Sequence, residues 1–90
     1  MDDAVEYPID GVLDLHQFHP RDVKDLVPDY IAECRERGIF QIRIVHGKGK
    51  GVLREIVHSI LKKHPDVLNF WQEGSAGSWG ATVVSLREND

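Results

Sequence analysis

Residues 40–61 read FQIRIVHGKGKGVLREIVHSIL, and the fold turns on how this stretch is parsed. Phe40 to Val45 alternates and is rich in β-branched residues, which predicts a strand with one buried face. The next six residues, His46-Gly47-Lys48-Gly49-Lys50-Gly51, hold three glycines and predict a turn. After it Val52, Ile56, Val57, Ile60 and Leu61 recur at helical spacing. That helix should end near His64-Pro65, because proline drives the residue before it out of the helical region.

Working outward, Val12-Leu13-Asp14-Leu15-His16 alternates as a short first strand. His19-Pro20-Arg21-Asp22 looks like a helix start, and Val23, Leu26, Val27, Tyr30, Ile31 and Cys34 continue it as an apolar stripe up to Gly38. Pro28 breaks the local rule: it cannot donate to the Lys24 carbonyl, so the helix should bend or start late. On the other side, VLNFWQ (67–72) and ATVVSL (81–86) are strands, joined by the loop EGSAGSWG (73–80). The order is therefore βαβαββ. It predicts a parallel pair with a right-handed crossover and a final hairpin: a four-stranded mixed sheet with both one-sided helices on one face. Residues 9–87 make a single domain, 1–8 a loose lead-in and 88–90 a short tail.

The 90 residues, 41% of them hydrophobic and 29% charged, fit one globular domain. A single cysteine, Cys34, excludes a disulfide framework and a cysteine-cluster zinc site, and it suits the reducing cytoplasm. It lies on the apolar stripe and is expected to be a buried, inert thiol. No apolar run approaches the ~18 residues of a membrane span, and the acidic start (Met1, Asp2, Asp3) is the reverse of a signal peptide. The net charge of −4 argues against a general nucleic-acid binder. Charge is uneven, however: residues 43–63 carry six bases and one acid, whereas residues 1–42 carry ten acids and four bases. A basic strip of this kind can make a local positive patch on an acidic protein.

Several groups could carry chemistry. On a strand Asp14 and His16 would share one face, ~7 Å apart, as acid, base or metal ligand; the plainer alternatives are a solvated sheet face or an Asp14 that helps to cap the first helix. His46 ends a strand where a glycine turn meets a helix start. Backbone N–H groups converge on anions at such junctions, and Lys48, Lys50 and Arg54 add charge, which suits phosphate contact. The spacing is not that of a Walker A loop. Trp79, beside Gly80 in the second glycine-rich loop, suits either base stacking or packing, whereas Phe70 reads as sheet packing. His58 and His64 read as surface residues. His19 either reaches the Asp14/His16 region or packs at the helix start.

LDLH (13–16), HGKGKGVLR (46–54) and GSWGATVVSL (77–86) together resemble the small MutS-related (Smr) domain family, over about residues 9–87. The resemblance implies an α/β two-layer sandwich similar to the C-terminal domain of translation initiation factor 3, with strand order 1-2-4-3. It implies nucleic-acid binding and nicking or endonuclease activity on DNA or RNA, in some members with Mg²⁺ or Mn²⁺, for which Asp14 is the candidate ligand. Asp14, His16 and His46 match the family's catalytic motifs, and Gly47, Lys48, Gly49, Lys50, Gly51, Arg54, Trp79 and Gly80 form the expected phosphate- and nucleic-acid-binding set. Strands one and two then place His16 and His46 at adjacent C-terminal ends, the usual site edge of an open α/β sheet, and the 73–80 loop reaches the same edge. One departure is Gln17, where the family usually has glycine after LDLH; its bulk narrows the site or alters the activity. Two other readings are a non-catalytic module for branched or structured nucleic acid and a protein-interaction adaptor. The adaptor is favoured if the acidic first helix neutralises the basic strip. A monomer, free of membrane, is expected.

Overall fold

A computed structural model describes residues 9–47, 51–73 and 80–88, with the backbone alone for Gln17. The elements are β1 (Val12–Asp14), a single 3-10 turn (Leu15–Gln17), α1 (Pro20–Glu36), β2 (Gln41–Val45), α2 (Val52–Lys63), β3 (Val67–Gln72) and β4 (Ala81–Leu86). The sheet order is β1-β2-β4-β3. β1 and β2 are parallel, and β4 runs antiparallel to both β2 and β3, so the expected βαβαββ mixed sheet is present.

Alternation decides which side of the sheet is covered. Ile42 and Ile44 pair with Val84 and Thr82, and Leu13 with Ile44, on the face that both helices cover. Val23, Val27, Tyr30, Ile31 and Cys34 of α1 and Val57 and Leu61 of α2 close that layer into one core with Leu13, Leu15, Ile42, Ile44, Val84 and Leu86. Each such side chain is worth roughly 1.5–3 kcal/mol on burial. Cys34 is buried as expected, and desolvation raises its pKa, which keeps it a thiol. The Tyr30 hydroxyl, deep in the same layer, accepts a hydrogen bond from the Gly11 N–H, and its pKa is pushed up to about 12, mainly by burial. The opposite face stays open, with Val12 and Trp71 about half exposed. No helix among the described residues is long and apolar enough to cross a membrane.

The structure corrects three local expectations and fixes where α1 begins. β1 ends at Asp14 and not at His16, because the chain tightens into the 3-10 turn. β2 begins at Gln41, one residue later than its pattern suggests. Val52, assigned to the buried stripe of α2, is exposed at the first helical position. α1 does not start late. The His19 ring caps it by accepting from the Arg21 N–H, Pro20 fills a first-turn position that needs no donor, and the helix continues through Pro28 to Glu36. Gly38 ends α1 with φ near +76°, and Ile39 N–H closes back on the Cys34 carbonyl at 2.8 Å.

Candidate functional site

The C-terminal ends of β1 and β2 form the edge that gathers most of the singled-out residues. Leu15 is fully buried where the chain leaves β1. The Asp14 side chain caps the turn: one carboxylate oxygen accepts the His16 backbone N–H at 2.9 Å and the His16 ring Nδ1 at 2.7 Å. Both side chains are about 60% exposed, so the pair faces solvent. A proton on Nδ1 satisfies the carboxylate and leaves the lone pair of a neutral ring on Nε2. That Nε2 is turned toward Gly47, whose position would put a Cβ 3.5 Å from it. Asp14, His16 and the Gly47 backbone are therefore neighbours.

His46 faces the other way. Its ring is 5% exposed and lies on the helix-covered side, where Nε2 meets the Thr82 hydroxyl at 2.9 Å. Thr82 also meets His58 Nε2 at 2.8 Å, and the His58 ring packs on Phe70 with centroids 5.0 Å apart. His46 Nδ1 lies 3.2 Å from the Gly47 carbonyl, which can only accept. Neutral His46 therefore carries its proton on Nδ1, Thr82 donates to its Nε2, and His58 Nε2–H donates to Thr82. This chain ties the start of the glycine turn to β4 and α2. His58, expected at the surface, is thus a half-buried member of it. Thr82 was missed altogether, although it is a polar residue at an inward position in line with Val84 and Leu86.

Burial is the main cause of a lowered pKa at His46, with Arg54 adding to it and the Gly47 carbonyl opposing it. At His58 burial again comes first, followed by His46, Arg54 and Lys62, with Glu55 opposing. Both rings are held neutral in the fold. Below the ordinary histidine value of about 6.5 the unfolded chain takes up these protons first, so acid favours unfolding. The expected result is a melting temperature that falls between pH 7 and pH 5.5, with a smaller fall in His58→Gln; equal slopes for the two proteins would count against this linkage.

The turn itself rests on Gly80. Its carbonyl accepts from His46 N–H at 2.7 Å and Gly47 N–H at 2.8 Å, and a Cβ on Gly80 would fall on the Gly47 backbone. Gly47 and Gly51 adopt φ of +85° and +83°, and Gly51 caps α2. The Arg54 guanidinium folds back over Gly51, 3.0 Å from where a Cβ would sit. Lys48, Gly49, Lys50 and Trp79 lie outside the described residues. Arg43 is separated from the rest of the basic strip by its pairing with Glu73. Among the described residues Arg54, Lys62 and Lys63 form no ion pair, and α1 does not neutralise them: its Glu33 pairs with Arg37 and its Arg35 with Asp66. His19 is occupied as the cap of α1, and His64 Nδ1 accepts the Asp66 N–H beyond α2. Asp14 is engaged by His16 and Glu73 by Arg43, and no three His, Cys, Asp or Glu side chains among the described residues come together as metal ligands.

A family model described as the Smr domain matches residues 13–87. Endonuclease MutS2 of Caldicellulosiruptor saccharolyticus is 41% identical over 64 residues, which cover 69% of this chain and 8% of that protein. Ribosome rescue factor SmrB of Yersinia enterocolitica is 35% identical over 81 residues, 90% of this chain and 45% of that protein. The chain thus spans less than half the length of these curated relatives. Among solved structures, the Smr domain of Thermus thermophilus MutS2 superposes with a TM-score of 0.78 at 31% identity, covering 84% of this chain and 96% of that one. YdaL, a stand-alone small MutS-related protein from Escherichia coli, gives 0.77 at 26% identity, covering 92% and 69%.

Proposed function

Because this chain belongs to the Smr domain family, we propose that it binds nucleic acid at the edge built by Asp14, His16 and the 46–51 turn and cleaves the phosphodiester backbone there. The observation that carries the reading is the exposed Asp14–His16 pair, whose free Nε2 points at the glycine turn. Asp14 fixes the tautomer and steadies the imidazolium that forms when Nε2 takes a proton. His16 is the general base toward the attacking hydroxyl, either water or a neighbouring ribose 2′-hydroxyl, and returns the proton to the leaving oxygen. A phosphate seated in the turn would meet its backbone N–H groups, and Arg54, folded over Gly51 at the N-terminus of α2, would meet developing negative charge. His46 and Gly80 act as positioning residues that hold the turn against β4. Lys48 and Lys50 complete the phosphate grip, and Trp79 supplies a stacking surface.

Two measurements test the two halves of this reading. Incubating the protein with supercoiled plasmid and with structured RNA should give nicked or shortened products, and the substrate that is cut identifies the nucleophile available. Binding is tested by changing Lys48, Lys50 and Arg54 together to Ala. Three phosphate-contacting cations are removed, so affinity should drop for all sequences alike and the slope of log affinity against log salt should flatten by about 2–3. An unchanged slope would remove the turn as the binding surface.

A further inference from the structure

Of the basic strip, the three described bases without an ion pair, Arg54, Lys62 and Lys63, lie in one groove. Arg54, Glu55, His58, Ser59, Lys62 and Lys63 of α2 line it, together with Gln72 at the end of the edge strand β3. Arg54, His58 and Lys62 are four residues apart in turn, so they stack along one helix face. From Arg54 to Lys62 the face runs ~12 Å, the axial span of about three to four phosphates of one strand. Glu55 offsets one of the three cations. The remaining positive charge sits on a chain whose net charge is −4, so the groove is positive against its surroundings. His58 forms the floor, fixed from beneath by Thr82, and Ser59 and Gln72 offer neutral hydrogen-bonding groups. Among the described residues no Phe, Tyr or Trp lines the groove. At one end Arg54 covers Gly51, the last residue of the turn that Nε2 of His16 faces.

We propose that this groove is a backbone-tracking subsite, in which Arg54, Lys62 and Lys63 carry one strand of nucleic acid along α2 and away from the Asp14–His16 pair. The inference rests on the reading that the chain binds nucleic acid, and it adds a direction and a minimum length to the ligand. A short oligonucleotide fills the edge at the turn, and only a longer one reaches Lys62 and Lys63. Three cations and no described Phe, Tyr or Trp make this a subsite that grips mainly the backbone, by charge, so its contribution should vary little with sequence.

The experiment is fluorescence anisotropy with labelled single strands of about 4 and about 12 nucleotides, each as RNA and as DNA. Wild type is compared with the Lys62→Ala/Lys63→Ala double variant and with Lys62→Arg/Lys63→Arg. The Ala pair should weaken binding of the long strand about tenfold and flatten its salt slope by roughly 1.4, since two charges on a single strand count for about 0.7 each. Affinity for the short strand should stay at the wild-type value. The Arg pair should restore long-strand binding, which separates lost contact from lost helix stability. Equal long-strand affinity and slope in wild type and the Ala pair would overturn the subsite while leaving the binding reading in place. An equal loss for both lengths would also overturn it, by showing a general field and no track. If wild type binds neither length, the binding reading falls, and the subsite with it.

Discussion

His16→Ala is expected to lower turnover on nucleic acid by about 10²–10⁴-fold, the range a positioned acid or base supplies, with affinity nearly unchanged. The ring is about 60% exposed and makes its contacts with Asp14 at the surface, so its removal should leave the melting temperature close to wild type. That separation makes the measurement decisive. Asp14→Asn keeps an oxygen that can cap the turn and hold Nδ1, but it removes the charge that steadies the imidazolium. Its turnover should fall while its fold stays intact. His46→Ala differs in kind, because a ring that is 5% exposed and hydrogen-bonded to Thr82 cannot be lost without loosening the turn. Turnover and stability should fall together there. Gln17→Gly asks whether the departure from the family's LDLHG limits the rate. The catalytic reading is abandoned, and a binding module kept, if wild type and the Asp14→Asn, His16→Ala and His46→Ala variants all cut at the same trace rate.

The largest structural effect is expected at Gly80. An alanine there would place its Cβ on the Gly47 backbone, and main chain cannot swing aside as the far end of a side chain can. Relief requires β4 and the turn to separate, which breaks the hydrogen bonds from His46 N–H and Gly47 N–H to the Gly80 carbonyl. Overpacking of this kind costs up to about 3 kcal/mol, and the lost bonds add to it. In a domain of this size that lowers the melting temperature by roughly 10–20 °C. A Gly80→Ala protein that melts like wild type would mean that the two segments separate at little cost. Gly47→Ala is a useful comparison, since its penalty comes from the positive φ, its Cβ meeting His16 Nε2 at an ordinary contact distance of 3.5 Å.

Much of this architecture is visible in periodicity. Ile42 and Ile44 announce the buried face of β2, and the stripe from Val23 to Cys34 announces the buried face of α1, because burying apolar area is what those patterns do. The same period of two carried information that went unread: His46 has the parity of Ile42 and Ile44, so it continues the covered face, whereas Asp14 has the parity of exposed Val12. The end of β1 was not legible. Leu13 and Leu15 are both buried whether the chain stays extended or tightens, and the deciding contact is a side-chain cap at Asp14 that alternation does not report. His58 and Thr82 escaped for a related reason. Each is unremarkable in its own element, and only the pairing of β4 beside β2, under α2, brings both to His46.

The strand order also governs when the molecule comes into being. β4 follows the other three strands in sequence, yet it occupies the centre of the sheet: β2 is bonded to it on one side and β3 has no other partner among the described residues. Without residues 81–86, β1 and β2 have only each other to pair with and β3 has no partner among the described strands. A nascent or C-terminally clipped chain is therefore open throughout, with both halves of its sheet seeking a partner, and such unpaired edges invite association with other chains. Gly80 and Thr82, which hold the glycine turn in place, arrive with the same strand. The Asp14–His16 edge thus acquires its opposing wall only once β4 is in place, so a copy that stops short of residue 80 carries the pair without the turn held beside it.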